Sequence, residues 1–443
     1  MPKVTGDGNE PPPDLPPEVD QWADQMCDLL GVNPQEVPEP NEPIEEAGIG
    51  DSWLKPPTSE AGDEDSWLNA PSSKPELDSW MYDTDPTNLV DGAQALQVDT
   101  SKLEKVGKRL GAGAYGEVFR IKEDGKDIAF KVAHTVEAQT ALEKEAEIYE
   151  KIAAAGPHKN VIASQGMREV EGIKGLAMDY VEGCDASKLF SAAERFYKQN
   201  KISHTEYWGA IQNMLREALE GIQHIAKAGV SHSDIKSGNM LFDERTKTLK
   251  LCDFGRAAII GEDPATIGTP ALSAPEAIKT LPLEGVPGED QRPRANAKQD
   301  TFAVGQMAYK SGEKSEHLYG ARNPGDTHAL TYMLCTKIEE LEAAGRDKDY
   351  RALTPTDDPK QAGTAGHYGK GGKTAYVDFV NEATLMDIGT RGSAEDLLTS
   401  KFLSDPLLQP EEAQKVLSGL ITRMKQEEDA EKAALNKSAS KKP

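Results

Sequence analysis

Four cysteines in 443 residues (Cys27, Cys184, Cys252 and Cys335) are too few and too scattered for a disulfide framework, and none stands in a CxxC or other metal-ligand spacing. Reduced thiols in a cytosolic compartment are the expectation. No apolar run approaches the roughly 20 residues needed to span a bilayer. The opening MPKVTGDGNEPPPDLPPEVD lacks the apolar core of a secretory signal. Arginine is missing from the first hundred residues, where Lys3, Lys55 and Lys74 face 23 acids and leave a net charge of −20. The other 343 residues hold 52 acids and 47 bases, a net of −5. A clustered basic face, which phosphate-backbone binding needs, is therefore not expected, and nucleic acid is excluded as a partner.

What the first hundred residues do have is proline and tryptophan: 15 of the 28 prolines and four of the five tryptophans. With only 37% hydrophobic residues overall, residues 1–100 are expected to be a disordered acidic, Pro-rich tail. The tail repeats itself. DSWL occurs at 51–54 and 65–68 and DSWM at 78–81, spaced 14 and 13 residues apart. Tryptophan is costly to leave in water, and such a segment cannot bury it in a core of its own. One reading makes Trp53, Trp67 and Trp80 docking motifs for a partner groove, strengthened by multivalency. The other packs them onto the body or treats them as a duplicated linker. Docking is the reading favoured here.

From about residue 104 the texture becomes alternating and glycine-punctuated. KLEKVGKRL, GEVFRIKEDGKDIAFKVA and IKGLAMDYVEG read as short strands, with a DG turn inside the second. Helices are expected at about 137–154 and 204–228, the second presenting Trp208, Ile211, Leu215, Ile222 and Ile225 on one face before Gly229. A Gly-, Lys- and Pro-rich stretch at 354–374 reads as a surface loop, and a charged helix is expected over about 410–435.

Several stretches carry chemistry. LGAGAYGEV (110–118) fits GxGxxGxV between two strands, where Gly111, Gly113 and Gly116 let backbone approach phosphates and Val118 can pack on a flat base. Its hairpin setting argues against a dinucleotide-binding strand-to-helix turn. Lys131 stands inside an apolar strand, so it either snorkels at an edge or is held by an anion. The following helix supplies one: Glu145 shares the stripe of Leu142, Tyr149 and Ile152, whereas Glu143, Glu147 and Glu150 fall off it. An inward acid needs a cation, and Lys131 is the nearest in sequence. Finally HSDIKSGN (232–239) sets Asp234, Lys236 and Asn239 in one loop. CDFG follows at 252–255.

Taken in order, these motifs resemble the eukaryotic-type protein kinase catalytic domain over about residues 104–405. MDYVEG (178–183) is similar to its hinge, TPALSAPE (269–276) to the end of its activation segment, DTFAVG (300–305) to its buried anchoring helix and RGSAEDLLTSKFL (391–403) to its closing helix. The resemblance implies an α+β bilobal protein kinase fold, with a β-rich small lobe at 104–181 and a mainly helical large lobe at 182–405; the charged helix and basic tail at 410–443 lie beyond it. It implies ATP and Mg²⁺ as cofactors. Asp234 would orient the acceptor hydroxyl and take its proton, Lys236 would neutralise the γ-phosphate, and Asn239 and Asp253 would hold Mg²⁺. Lys131, paired with Glu145, would hold the α/β-phosphates. Met178 would be the gatekeeper, the backbone from Asp179 to Val181 would face adenine, and Leu241 is counted with the nucleotide contacts. Asp185 would reach the ribose or a basic substrate residue. Glu276 would pair with Arg391, Asp300 would cap the catalytic-loop backbone, and Thr269 would bond the catalytic Asp.

Departures matter too. Most members of the family carry Arg where Ser233 stands, and that Arg pairs with a phosphate on the activation segment. Ser233 cannot supply the cation, so activity independent of the usual loop phosphorylation is expected. Lys236 and Thr269 follow the Ser/Thr rather than the tyrosine pattern. Leu272 replaces an aromatic beside the acceptor site, and the stretch between Glu276 and Asp300 is long for the family. The missing loop Arg, the divergent large-lobe surface and the repeat-bearing tail also resemble kinases that bacteria inject into host cells, a setting that stands beside an ordinary cytosolic regulatory kinase. The alternative function is a scaffold or pseudokinase recruiting partners through the tail.

Overall fold

The computed structural model describes residue 96 and residues 98–113, 116–266, 268–269, 272–278, 293–312, 373–385 and 387–439. The Trp53, Trp67 and Trp80 motifs, most of the stretch at 354–374 and most of the insertion between Glu276 and Asp300 lie outside the described residues.

The first half of the body is a sheet with two helices. Helix α1 (Ser101–Val106) leads into β1 (Gly107–Gly113), β2 (Gly116–Glu123) and β3 (Lys126–Ala133). Asp124 and Gly125 turn the β2–β3 hairpin with φ of 49° and 79°, the two-residue geometry that matches strand twist. Helix α2 (Val136–Ala154) follows, its first turn capped by Thr135, whose hydroxyl accepts from Ala138 N at 3.1 Å. Strands β4 (Ser164–Val170) and β5 (Ile173–Asp179) complete an antiparallel sheet of order β1-β2-β3-β5-β4. One face of the sheet buries Phe119, Ile121, Ile128, Phe130 and Val132 together with Leu103 of α1. Alternation puts Val118 and its cross-strand partner Lys131 on the opposite face.

Two expectations change here. KLEKVGKRL is not one strand: Leu103 and Val106 stand three apart, a helical spacing, and form α1. The strand starts at Gly107, where a Cβ would lie 2.3 Å from the Arg120 carbonyl oxygen, so a side chain would push β1 off β2. SQGMREV, given no element from the sequence, is strand β4. It lies at the sheet edge, none of its residues is fully buried, and its apolar alternation is correspondingly weak.

The second half is mainly helical. Strand β6 (Gly183–Asp185) enters helix α3 (Ala186–Lys198), followed by α4 (His204–Lys227). A reciprocal Ser203–Glu206 capping box starts α4, and Gly229, at φ 74°, follows its end. Trp208, Ile211, Leu215, Ile222 and Ile225 are all fully buried, as the sequence period requires. Next come the short strands β7 (Val230–Ser231), β8 (Met240–Asp243), β9 (Thr248–Leu251) and β10 (Ala258–Ile259). They pair as β6-β8-β9 and β7-β10, and the turn Ser237–Asn239 in the loop between β7 and β8 packs against β6 and α3. Helices α5 (Pro275–Ile278), α6 (Lys298–Gly312), α7 (Lys373–Ala383), α8 (Ala394–Thr399) and α9 (Lys401–Ser404) complete the lobe. The charged last helix, α10 (Pro410–Ala439), buries Ala413, Leu417, Leu420 and Ile421 and packs on α4 and α3. Among the described residues, no helix is long and apolar enough to cross a membrane.

Candidate active site

The floor of the site is the β7–β8 loop, and a buried carboxylate shapes it. Asp300, on the first turn of α6 and 1% exposed, accepts from His232 N and Ser233 N, each at 2.8 Å, and from the Ser231 hydroxyl at 3.1 Å. These bonds hold Ser233 in the left-handed region at φ 62°, a conformation that costs free energy for any residue but glycine. The Ser233 hydroxyl donates in turn to Ser231 Oγ at 3.3 Å. The backbone so bent presents Asp234 to the cleft. Its Oδ1 accepts from Thr269 N at 2.7 Å and from the Thr269 hydroxyl at 2.8 Å. Its Oδ2 accepts from the Asn239 amide at 2.9 Å and lies 3.1 Å from Lys236 Nζ. Lys236 also donates to Thr269 Oγ1 at 3.2 Å.

Gly268 is a functional position that the sequence reading missed. A Cβ there would lie 2.3 Å from the Ser233 carbonyl oxygen and 2.7 Å from Asp234 Oδ1, so only glycine lets this segment rest on the loop. Ser231 was missed as well. The GT pair at 268–269 was a usable signal for the first; nothing local marks the second, because its partner Asp300 is 69 residues away.

The roof brings a second group down to the first. Lys131 Nζ donates to Glu145 Oε2 at 2.8 Å and to Asp253 Oδ1 at 2.7 Å. The other Glu145 oxygen accepts from Phe254 N at 3.2 Å. Burial works against the charged amine of Lys131, but the carboxylates of Glu145 and Asp253 outweigh it and hold the amine above its ordinary value. At Asp253 burial pushes the carboxyl up, and the charge and hydrogen bond of Lys131 overcome this and keep it below the usual value of 3.8. Phe254, 1% exposed, meets the Tyr149 ring edge-on at 5.0 Å and the His232 ring at 4.7 Å. A single phenylalanine thus joins helix α2, the β7–β8 loop and the Asp253 turn.

The residues assigned to the nucleotide stand on β1, β2 and β5 and on the β6–β8 pair. A Cβ on Gly116 would lie 1.9 Å from the Val132 carbonyl oxygen, so packing alone demands glycine there. A Cβ on Gly111 would meet nothing within 4 Å, so its backbone borders open space. Gly113 ends β1, and Val118 lies opposite Lys131. Met178, 7% exposed, stands near the end of β5, where Asp179 N donates to the Ala163 carbonyl at 2.9 Å and leads through Tyr180 to a half-buried Val181. Leu241 pairs with Asp185 across β8 and β6. Asp185 itself caps α3, accepting from Lys188 N at 3.2 Å and from the Ser187 hydroxyl. That capping job is what its carboxylate does here.

The donor set at the floor fits a hard cation. Both amide hydrogens of Asn239 are spent on Asp234, on the carbonyl and on Oδ2, each at 2.9 Å. This leaves the amide oxygen without a hydrogen bond among the described residues. Asp253 keeps Oδ2 beside the Oδ1 that Lys131 holds. An amide oxygen and a carboxylate oxygen, with remaining positions left to phosphate and water, is the kind of set Mg²⁺ accepts.

Away from the chemistry, Arg391 makes a bidentate pair with Glu276, 2.7 and 2.9 Å, its side chain fully buried and its guanidinium 4.9 Å from the Phe302 ring. That pair ties α5 to the turn before α8. Leu272 N donates to the Thr269 carbonyl at 2.9 Å, closing the turn that aims Thr269 at Asp234.

Residues 105–403 match the family model of the protein kinase domain. The chain is similar to Protein kinase YpkA of Yersinia pseudotuberculosis, 27% identical over 308 residues that make 68% of this chain and 37% of that protein. It is also similar to Serine/threonine-protein kinase 1 of Arabidopsis thaliana, 28% identical over 69% of this chain and 31% of the relative. A third relative is Serine/threonine-protein kinase pakG of Dictyostelium discoideum, 24% identical over 70% of this chain and 22% of the relative. The matched region thus spans well under half the length of these curated relatives. The chain belongs to the protein kinase domain family, and its body has that family's bilobal α+β fold.

Proposed function

We propose that this member of the protein kinase family is an ATP- and Mg²⁺-dependent protein serine/threonine kinase. The observation that carries the reading is the convergence of Lys131, Glu145, Asp234, Lys236, Asn239 and Asp253 on one cleft, with Lys131–Glu145 closed at 2.8 Å and Phe254 seated under α2. Phosphoryl transfer asks the protein for positioning and charge neutralisation more than for covalent chemistry.

Lys131, held by two carboxylates, is a fixed cation for the α/β-phosphates under the glycine-rich hairpin. Asp234 Oδ1 and Oδ2 are oriented by Thr269, Asn239 and Lys236, so the carboxylate can accept the proton of a Ser or Thr hydroxyl without swinging. Lys236, already beside Asp234, neutralises charge on the transferring phosphoryl group. Mg²⁺, held by Asn239 and Asp253, would supply further charge neutralisation at the phosphate oxygens. Met178, the Asp179–Val181 backbone, Val118 and Leu241 enclose the base. The test is Asp234→Asn in a phosphate-transfer assay followed by acid hydrolysis of the product. The reading expects phosphoserine and phosphothreonine from the wild type and a loss of about 100-fold or more in the variant, the scale of removing a positioned general base. Phosphotyrosine as the main product, or full activity in Asp234→Asn, would contradict it.

Protein substrates and docking partners belong to the same proposal. Trp53, Trp67 and Trp80 recruit a partner through its apolar groove, each motif weak and the three together strong. The setting proposed is cytosolic; delivery of the chain by a bacterium into a host cell is the variant beside it, with which similarity to a protein kinase of Yersinia is compatible.

A further inference from the structure

Beside the cleft, three segments meet on one guanidinium. Arg120 lies on β2 two residues after Val118 and therefore on the same face. Its Nη2 donates to Asp127 Oδ2 on β3 at 2.7 Å, and its Nη1 lies 3.4 Å from the Tyr180 hydroxyl. Its Cζ stands 4.4 Å from the centroid of the Tyr180 ring. Tyr180 is the residue between Asp179 and Val181, immediately past the end of β5. The other Asp127 oxygen is buried with no hydrogen-bond partner among the described residues, so Arg120 is what holds this carboxylate. The strand pair and the segment after β5 are thus stapled by a side chain 37% exposed, outside the hydrophobic clusters.

We propose that Arg120 is a positioning residue for nucleotide binding: by stacking on Tyr180 while paired to Asp127, it sets the spacing between the Val118 roof and the backbone of Asp179 and Val181. The inference rests on the kinase reading, because only a base lying between that roof and that backbone gives the spacing a consequence. Both hydrogen bonds and the ring contact come from one planar group, and lysine, a point charge, cannot reproduce this geometry. Tyr180 supplies mainly a face, and its hydroxyl is at the edge of bonding distance. Asp127 keeps the guanidinium from rotating into solvent.

The test measures the KM for ATP, kcat and, in nucleotide-free protein, amide hydrogen exchange over residues 179–183. Arg120→Ala is expected to raise the KM for ATP about 3- to 10-fold, the worth of a partly exposed cation–π contact, with kcat within about twofold and faster exchange of the segment. Tyr180→Ala should do the same, and the double variant should be no worse than either single one, since both remove one contact. Tyr180→Phe should stay near wild type, and Arg120→Lys should recover only part of the loss. Unchanged KM and exchange in Arg120→Ala would overturn the proposal. So would a raised KM accompanied by falling kcat and thermal midpoint in all variants, which would make Arg120 merely structural. A wild type that transfers no phosphate would defeat the kinase reading instead, and the exchange comparison would then judge the clamp alone.

Discussion

Asp300 accepts from Ser231, His232 and Ser233, so the unusual φ of Ser233 is sustained by a buried carboxylate and neighbouring hydroxyls. Two outcomes follow at this scale. Protein treated with phosphatase should transfer phosphate without a lag, and Ser233→Arg should not raise the rate; a lag abolished by prior phosphorylation would contradict the loop account. Glu217 gives a prediction about pH. Burial pushes its carboxyl above the ordinary 4.5, although Leu249 N donates to it at 2.6 Å. A carboxyl whose folded value is raised contributes stability below its unfolded value and loses it as pH rises through the folded one. Glu217→Gln should therefore raise the thermal midpoint at pH 8 and raise it less at pH 5.5. A lower midpoint at pH 8 would show that the charge is better paired than its burial suggests.

Helix α2 carries Glu145 to Lys131, and Thr135 starts it. Thr135→Ala should cost about 1 kcal/mol of stability, with a fall in kcat if α2 shifts; thermal melts beside kinetics would separate the two. The Arg391–Glu276 pair is a larger structural tie. Removing one partner strands a buried charge, so Arg391→Ala should cost about 3–5 kcal/mol, and a loss under 1 kcal/mol would mean water reaches Glu276. Much of this was legible in the sequence, because short-range rules governed it. Glu145 is inward since it shares the stripe of Leu142 and Tyr149, and the DG pair does turn the β2–β3 hairpin. Helix α1 was misread because it is only six residues long and runs straight into β1, so the three-residue spacing of Leu103 and Val106 had no second turn to support it. Strand β4 escaped notice because an edge position leaves little alternation to read. Arg120 was invisible for a different reason: only the tertiary approach of β2 to the segment after β5 gives it Tyr180, 60 residues away.

For the whole molecule, charge divides the chain into an acidic first hundred residues, at −20, and a nearly balanced remainder. The docking proposal makes the tail's role one of affinity. Alanine at Trp53, Trp67 and Trp80 together should abolish binding of the docking partner while leaving transfer to a generic peptide unchanged; each single variant should lose only part of the binding. Unchanged binding in the triple variant would remove the docking proposal and leave the catalytic one standing. The central claim concerns the cleft, and it is tested most directly by transfer of labelled phosphate from ATP, with Mg²⁺, by unphosphorylated protein to itself and to a generic Ser/Thr substrate, beside Asp253→Ala. Transfer by the wild type that vanishes in the variant is the predicted result. No transfer by a wild type that still binds ATP would contradict the account and leave a scaffold built on a kinase fold.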